Sequence, residues 1–454
     1  MLQKIPNYIK YIFTNLFLLF LFTVLFRFIF YSFFLELQNS NSSEITKAIL
    51  LGIRFDIKLA VISFFPLAIL VLSTNYTFFK KNIYRNIAKI YTVLIFLILT
   101  LFYVFDLGYY EYLEIRLDAG SLRFLSNLKI SSQVLFESYP VYKGFIGLLI
   151  LCIIMHKLSG SIYDTFVKEN QKIKKPLKII LFIVTFLTLS FGIYNSTSHY
   201  PLRWSEAFFS KNNKINQFTL NPVLYFFDSF AFRSVGVDLK KFKDYYPVIA
   251  KHLKLPKDSI NFEKKITFKE PYKDKPNVIF VMLESTGTAT MSYYGNPLKS
   301  TSKMDSLIKK SVSFSKFYVH KPGTAGSVFA SITGLPDIDD IKTVSRNPLA
   351  IDQRIIFDQY NGYEKRYFIG GSANWANIRA VFQSNIEGLK IFEEGSFEEE
   401  IRADVWGIDD YELFKESNKE LKKLHQKKQP FVAYIQTATN HMPFTVPDKK
   451  ETFK

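Results

Sequence analysis

The 454-residue chain is 48% hydrophobic and 17% aromatic, and these residues crowd into the first two hundred positions, so a membrane region and one large domain have to be read separately. Its 58 Lys and Arg against 40 Asp and Glu give a formal charge of +18, and in a membrane-bound chain that excess finds its partner in anionic lipid before nucleic acid. The single cysteine, Cys152, excludes an internal disulfide and any zinc site built on thiolates.

The first apolar stretch, residues 8–35, is too long for a cleavable leader and lacks a small-residue cleavage site, so it reads as a membrane span. Four more follow near residues 57–79, 88–105, 141–155 and 177–194, each close to the roughly 20 residues that a bilayer-crossing helix needs. The fourth span is the shortest. Lys80, Lys81 and Arg85 mark one loop, and Lys157, Lys168, Lys172, Lys174, Lys175 and Lys178 mark another. The positive-inside rule makes these loops and the N-terminus cytoplasmic, and five spans then put everything after Tyr194 outside.

Two charged features interrupt the apolar runs. Arg54-Phe55-Asp56 stands at the entry to the second span, where snorkelling anchors are commoner than substrate-handling charges. Arg27 lies deeper in the first span and is expected to face other helices or a polar headgroup, because a lone charge facing lipid is costly. Residues 196–275 read as an interfacial linker. Trp204 and the short amphipathic piece 221–227 suit the membrane surface, and the part from Lys240 onward is lysine-rich.

From Pro276 strands and helices alternate, which predicts an α/β domain with a mainly parallel sheet. Strands are expected at 278–283, 312–319, 365–369 and 431–437, and helices at 304–310, 324–333, 355–361, 378–387 and 409–426. The first strand is apolar throughout, as a strand at the buried centre of a parallel sheet would be, and it stops on Glu284. Parallel sheets place their chemistry just beyond the carboxyl ends of their strands. Glu284 is therefore either a functional carboxylate or an acid that orders a loop.

Thr324, in Gly323-Thr324-Ala325-Gly326-Ser327, is either a helix N-cap or a hydroxyl delivered to the anion-favouring start of a helix. A threonine hydroxyl becomes a useful nucleophile only when a cation or base lowers the cost of the alkoxide, and a nearby carboxylate could hold that cation. His441, after the 431–437 strand, either binds a phosphate or polar headgroup or satisfies loop carbonyls. Trp375 and Arg379 offer an apolar wall and a forked cation for a phosphate ester, or a core aromatic beside a surface charge. His320, four residues before Thr324, is a candidate for the same pocket.

The ordered set Val281-Met282-Leu283-Glu284-Ser285-Thr286, Gly323-Thr324-Ala325-Gly326-Ser327 through Pro336, Trp406-Gly407-Ile408-Asp409-Asp410 and Asn440-His441-Met442-Pro443-Phe444, behind five spans, resembles the lipoteichoic acid synthase and phosphoglycerol transferase family of the alkaline phosphatase and sulfatase superfamily. The resemblance implies a membrane domain over residues 1–195 and the N-terminal part of a sulfatase-like catalytic domain over 276–454. It implies that Thr324 is the nucleophile of a phospho-threonine intermediate and that Glu284 and Thr324 hold a divalent metal, usually Mn2+, with Mg2+ or Zn2+ as alternatives. His441, Trp375 and Arg379 then hold the glycerol phosphate group. The donor implied is phosphatidylglycerol, the acceptor a glycan or polyglycerol phosphate outside the bacterial cytoplasmic membrane.

Two departures qualify it. The family's Asp-His metal pair lies downstream of the Asn-His-x-Pro-Phe motif, in a segment this sequence does not reach, so the expectation is an incomplete sheet and a partial sequence rather than a metal-poor relative. Gly370-Gly371-Ser372 stands where family members often carry a polar element. The rival readings are a phosphoethanolamine transferase, disfavoured by the lone cysteine, a sulfatase, disfavoured by threonine at the nucleophile position, and an inactive membrane-tethered scaffold.

Overall fold

A computed structural model of the chain describes residues 5–35, 42–167, 173–210, 212–232, 238–257, 260–262, 274–319, 321–337, 343–398 and 402–441. His320, Met442 to Phe444 and the segment after them, on which the unfinished sheet was read, lie outside the described residues.

Five helices are long and apolar enough to cross a membrane: α1 (Asn7–Phe34), α2 (Ser42–Thr74), α4 (Asn82–Leu113), α6 (Val141–Val167) and α7 (Lys175–Tyr194). The short α3 (Tyr76–Lys80) and α5 (Leu128–Ser138) occupy two of the connections. The count matches the sequence reading, but the second helix begins at Ser42, well before residue 57. Arg54, Phe55 and Asp56 are therefore inside α2 rather than at its entry. Charged residues interrupt an apolar pattern without breaking a helix when their side chains find partners, and these do. Asp56 is 1% exposed and pairs with Arg27, its Oδ2 2.6 Å from Nε and its Oδ1 2.8 Å from Nη2. Arg27 thus faces helices, as its cost in lipid requires.

The segment after α7 is packed, not draped. A helical turn (Trp204–Ala207), α8 (Asn213–Thr219) and α9 (Pro222–Phe230) bury Trp204, Phe218 and Tyr225 against Phe30, Leu51, Phe55 and Tyr110 of the long helices. Helix α10 (Leu239–Leu253) follows, its Tyr246 and Ala250 covered by Leu255.

The remaining residues form a three-layer α/β unit. Its sheet runs β1 (Val278–Met282), β6 (Phe431–Gln436), β2 (Glu364–Ile369), β3 (Leu389–Phe392), with every pair parallel. The period-two side-chain alternation of β2 and β6 feeds both faces. Tyr367, Ile369, Val432 and Tyr434 meet α12 (Thr324–Thr333) and α13 (Ile378–Asn385), while Phe368, Ala433 and Ile435 meet α14 (Asp410–Gln426). A small hairpin of β4 (Arg402–Asp404) and β5 (Gly407–Ile408), and α11 (Ser302–Ile308), complete the described elements of this unit.

Three expectations need correction. Among the described residues β1 stands at the edge of the sheet, with Ile279 51% and Phe280 41% exposed, and the centre belongs to β6 and β2. An unbroken apolar run reports burial on both faces, and among the described residues β1 is paired on one side only. Residues 312–319 form no strand and leave Val312, Phe317 and Tyr318 more than 80% exposed. The expected helix at 355–361 is a single 3-10 turn, Ile356–Gln359, too short for an α-helical ladder.

Candidate active site

Parallel register aligns the strand ends: Met282 lies opposite Gln436, and Gln436 opposite Ile369. Glu284, Thr437 and Gly370 therefore follow at one edge of the sheet. Thr437 locks the first two strands together, its N–H donating to Met282 O at 3.1 Å while its Oγ1 accepts from the Glu284 N–H at 2.9 Å. Ser285 then turns the chain with φ +55, a left-handed value uncommon outside glycine, and its carbonyl accepts from Asn440 Nδ2 at 2.7 Å.

This clamp sets Glu284, 8% exposed, under the start of α12. Gly323, at φ +142, caps that helix with no side-chain bond, so Thr324 is its first residue rather than its cap. Freed from capping, Thr324 Oγ1 donates to Glu284 Oε1 at 2.6 Å. His441 Nε2 lies 2.9 Å from the same oxygen, and since an ionised carboxylate only accepts, Nε2 carries the proton. Glu284 Oε2 accepts from Gln436 Nε2 at 3.2 Å, and Gln436 Oε1 accepts from Tyr367 Oη at 2.8 Å. Burial, and after it the neighbouring Tyr434, pushes the Tyr367 phenol well above its ordinary pKa, which keeps that donor in place.

The hairpin closes the other side. Trp406 stacks on His441 with ring centroids 4.4 Å apart. Asp410 Oδ1 accepts from the N–H groups of Ala438 at 2.8 Å and Thr439 at 3.3 Å, tying the Trp406-to-Asp410 motif to the loop that carries His441. The Gly370-Gly371 pair has a steric reason. A Cβ on Gly371 would lie 2.6 Å from Trp406 O, and one on Gly407, at φ +136, would overlap Gly370 O. Gly407→Ala is expected to destabilise the fold by about 1–3 kcal/mol through backbone strain alone, with the clash adding to it, and a thermal unfolding curve reads the loss.

Of the residues singled out from sequence, Glu284, Thr324 and His441 come together. Trp375 packs beside the apolar cluster between sheet, α12 and α13. Arg379 donates to Asn374 Oδ1 at 2.8 Å and pairs with Glu393, whose other oxygen accepts from Ala373 N at 2.7 Å. Among the described residues no hydrogen bond or ring contact joins Trp375 or Arg379 to the trio. The residues that sequence reasoning missed are Gln436 and Thr437, and Ser285 and Trp406 were seen only as parts of motifs. Gln436 is legible in hindsight: a polar side chain ending a six-residue strand that is otherwise apolar needs a buried partner.

Glu284 is a buried carboxylate that no lysine or arginine pairs with among the described residues, so a cation fits it, with Thr324 Oγ1 as the adjoining oxygen. No group of three or more His, Cys, Asp or Glu able to hold a metal occurs among the described residues, so Glu284 and Thr324 would supply part of a coordination shell.

Residues 276–453 match the sulfatase family. That match covers the α/β part of the chain, and the same part is similar to lipoteichoic acid synthase-like proteins. It is 29% identical over 179 residues to the lipoteichoic acid synthase-like protein YvgJ and 26% identical over 187 residues to lipoteichoic acid synthase 1, both of Bacillus subtilis (strain 168). The matches cover 38% and 39% of this chain and 28% of each relative. Among solved structures, an alkaline phosphatase superfamily protein of Vibrio parahaemolyticus is similar at 22% identity, covering 48% of this chain and 54% of that one with a TM-score of 0.40. The lipoteichoic acid synthase LtaP of Listeria monocytogenes is similar at 21% identity over 39% and 44%, with a TM-score of 0.34. Members of the sulfatase and alkaline phosphatase superfamily generally use divalent metals.

Proposed function

We propose that this sulfatase-superfamily enzyme is a membrane-anchored phosphotransferase, moving a phosphoglycerol unit from phosphatidylglycerol to a glycan or polymer acceptor on the extracytoplasmic side. The observation that carries the proposal is the 2.6 Å bond from Thr324 Oγ1 to Glu284 Oε1 at the first residue of α12. It aims a hydroxyl at a helix start whose unpaired N–H groups favour a phosphate, and it leaves the proton a ready acceptor.

In the first half-reaction Thr324 Oγ1 attacks phosphorus, the bond from phosphorus to the diacylglycerol oxygen breaks, and that oxygen takes up a proton as Thr324 loses one. In the second, the acceptor hydroxyl attacks the threonine-bound phosphorus and Thr324 leaves with its proton restored. Glu284 orients the hydroxyl in both steps, and Gln436 and Thr437 hold Glu284. His441, fixed by Trp406, directs an N–H toward the same oxygens and can hold the glycerol phosphate group. A divalent cation such as Mn2+, held by Glu284 and Thr324, would lower the cost of the alkoxide and neutralise charge on the phosphodiester. Trp375 and Arg379 are assigned to substrate only through the family resemblance.

The membrane helices support a lipid donor, because they keep the site at the surface where it resides. Loop charges support the orientation: Lys80, Lys81 and Arg85 on one side leave the sulfatase domain on the other. The test is covalent trapping. Incubated with Mn2+ and headgroup-labelled phosphatidylglycerol, the protein is expected to form a labelled adduct that Thr324→Ala abolishes. Label persisting in that variant would overturn the nucleophile assignment.

A further inference from the structure

Helix α2 is longer than a bilayer needs. Its 33 residues rise about 50 Å at 1.5 Å per residue, against a hydrocarbon core of about 30 Å. Counting roughly 20 residues back from Thr74 sets the edge of that core near Phe55 and Asp56, the level at which Arg27 and Asp56 pair. The stretch from Ser42 to Arg54 therefore stands in the headgroup layer and above it, on the side that carries the sulfatase domain.

Along this stretch runs a cavity of about 530 Å³ lined by Ser43, Thr46, Lys47, Leu50, Leu51 and Arg54, with Ser42 at its end. Positions 47, 50, 51 and 54 share one helix face, so a cation, two leucines and a second cation follow one another up the helix. Leu50 is 60% exposed, an open apolar surface between two charges. One local carboxylate is engaged elsewhere and one offsets part of the Arg54 charge. Glu44 accepts from Ser210 Oγ, and Glu206 stands 3.7 Å from Arg54, whose guanidinium also donates to Asn195 O. Lys47 Nζ lies 4.4 Å from the centre of the Phe209 ring, a contact that orients an ammonium without neutralising it.

Two cations bracketing an exposed leucine at headgroup height fit an amphiphile with an anionic head. We propose that this cavity holds one anionic phospholipid, its phosphate between Lys47 and Arg54 and its glycerol and first acyl carbons on Leu50. None of its residues belongs to the cluster around Thr324, and binding there is independent of the threonine chemistry.

The full chain carrying Thr324→Ala, which cannot form an adduct through that residue, is reconstituted in phosphatidylcholine nanodiscs with a minor fraction of phosphatidylglycerol. Lipid retained on release is then counted by native mass spectrometry. Selective retention of phosphatidylglycerol is expected, falling about fivefold in Lys47→Gln, the effect of one lysine at an anionic surface, and falling likewise in Leu50→Gln. Both side chains are exposed, so folding is not at stake, and Lys299→Gln, remote in sequence and exposed, should retain lipid as before. Equal retention of both lipids, unchanged retention in both cavity variants, an equal loss in Lys299→Gln, or displacement by soluble glycerol 1-phosphate would each overturn the proposal.

Discussion

Replacing Asp56 by alanine is expected to cost the folded protein about 3–5 kcal/mol, the range for removing one partner of a buried ion pair. Arg27 is 8% exposed, and Asp56 meets its guanidinium through both oxygens. Without the carboxylate, a buried cation keeps the carbonyls of Phe218 and Thr219 and the face of the Phe218 ring, none of which carries a charge. Asn221 Nδ2, which donates to Asp56 Oδ1 and Tyr103 Oη at 2.9 Å each, loses one acceptor as well. The damage should travel, because Arg27 and Asp56 hold the segment of α8 and α9 whose Tyr225 Oη donates to Pro348 O of the sulfatase domain. Denaturant unfolding in detergent, followed by tryptophan fluorescence, reads the loss. The double variant Arg27→Met, Asp56→Leu should recover most of it, since apolar pairs of similar volume commonly replace buried ion pairs without penalty. If Asp56→Ala unfolded within 1 kcal/mol of the parent, the pair would not be a structural tie and its retention inside a membrane helix would call for a functional cause.

What the sequence disclosed followed the kind of signal each residue carries. Span count was legible because a helix in lipid must be apolar for most of about 20 residues. The start of α2 was not, because the stretch from Ser42 to Arg54 obeys different rules: it is packed on Trp204, Phe208 and Phe209 rather than bathed in lipid, and packing tolerates charges. Glu284 and Thr324 could be named because strand ends and helix starts are where local pattern and chemistry coincide. Their 2.6 Å contact depends on the parallel register of β1 and β6 across more than 150 positions of sequence, and no local pattern encodes that. The same long-range pairing hid Thr437 and Gln436. β1 misled for a related reason: hydropathy reports that a strand wants cover, not whether the described chain supplies it.

Glu284→Gln separates function from stability at the site itself. Gln keeps the shape but leaves an amide where Thr324, His441 and Gln436 require an acceptor on both sides. One amide oxygen remains to accept, and the amide nitrogen donates toward groups that are themselves donors. Adduct formation is expected to fall about 10²–10⁴-fold, the scale on which a positioned acid or base contributes, and a divalent cation should no longer restore it after chelation. Stability is expected to move little, because the loss of a buried charge that no lysine or arginine among the described residues offsets opposes the loss of one accepted hydrogen bond. Single-turnover labelling and thermal unfolding on one preparation report both. A parallel loss of labelling and melting temperature would make Glu284 a loop-ordering acid. Loss of labelling with the melting temperature held marks a carboxylate kept for the reaction at Thr324.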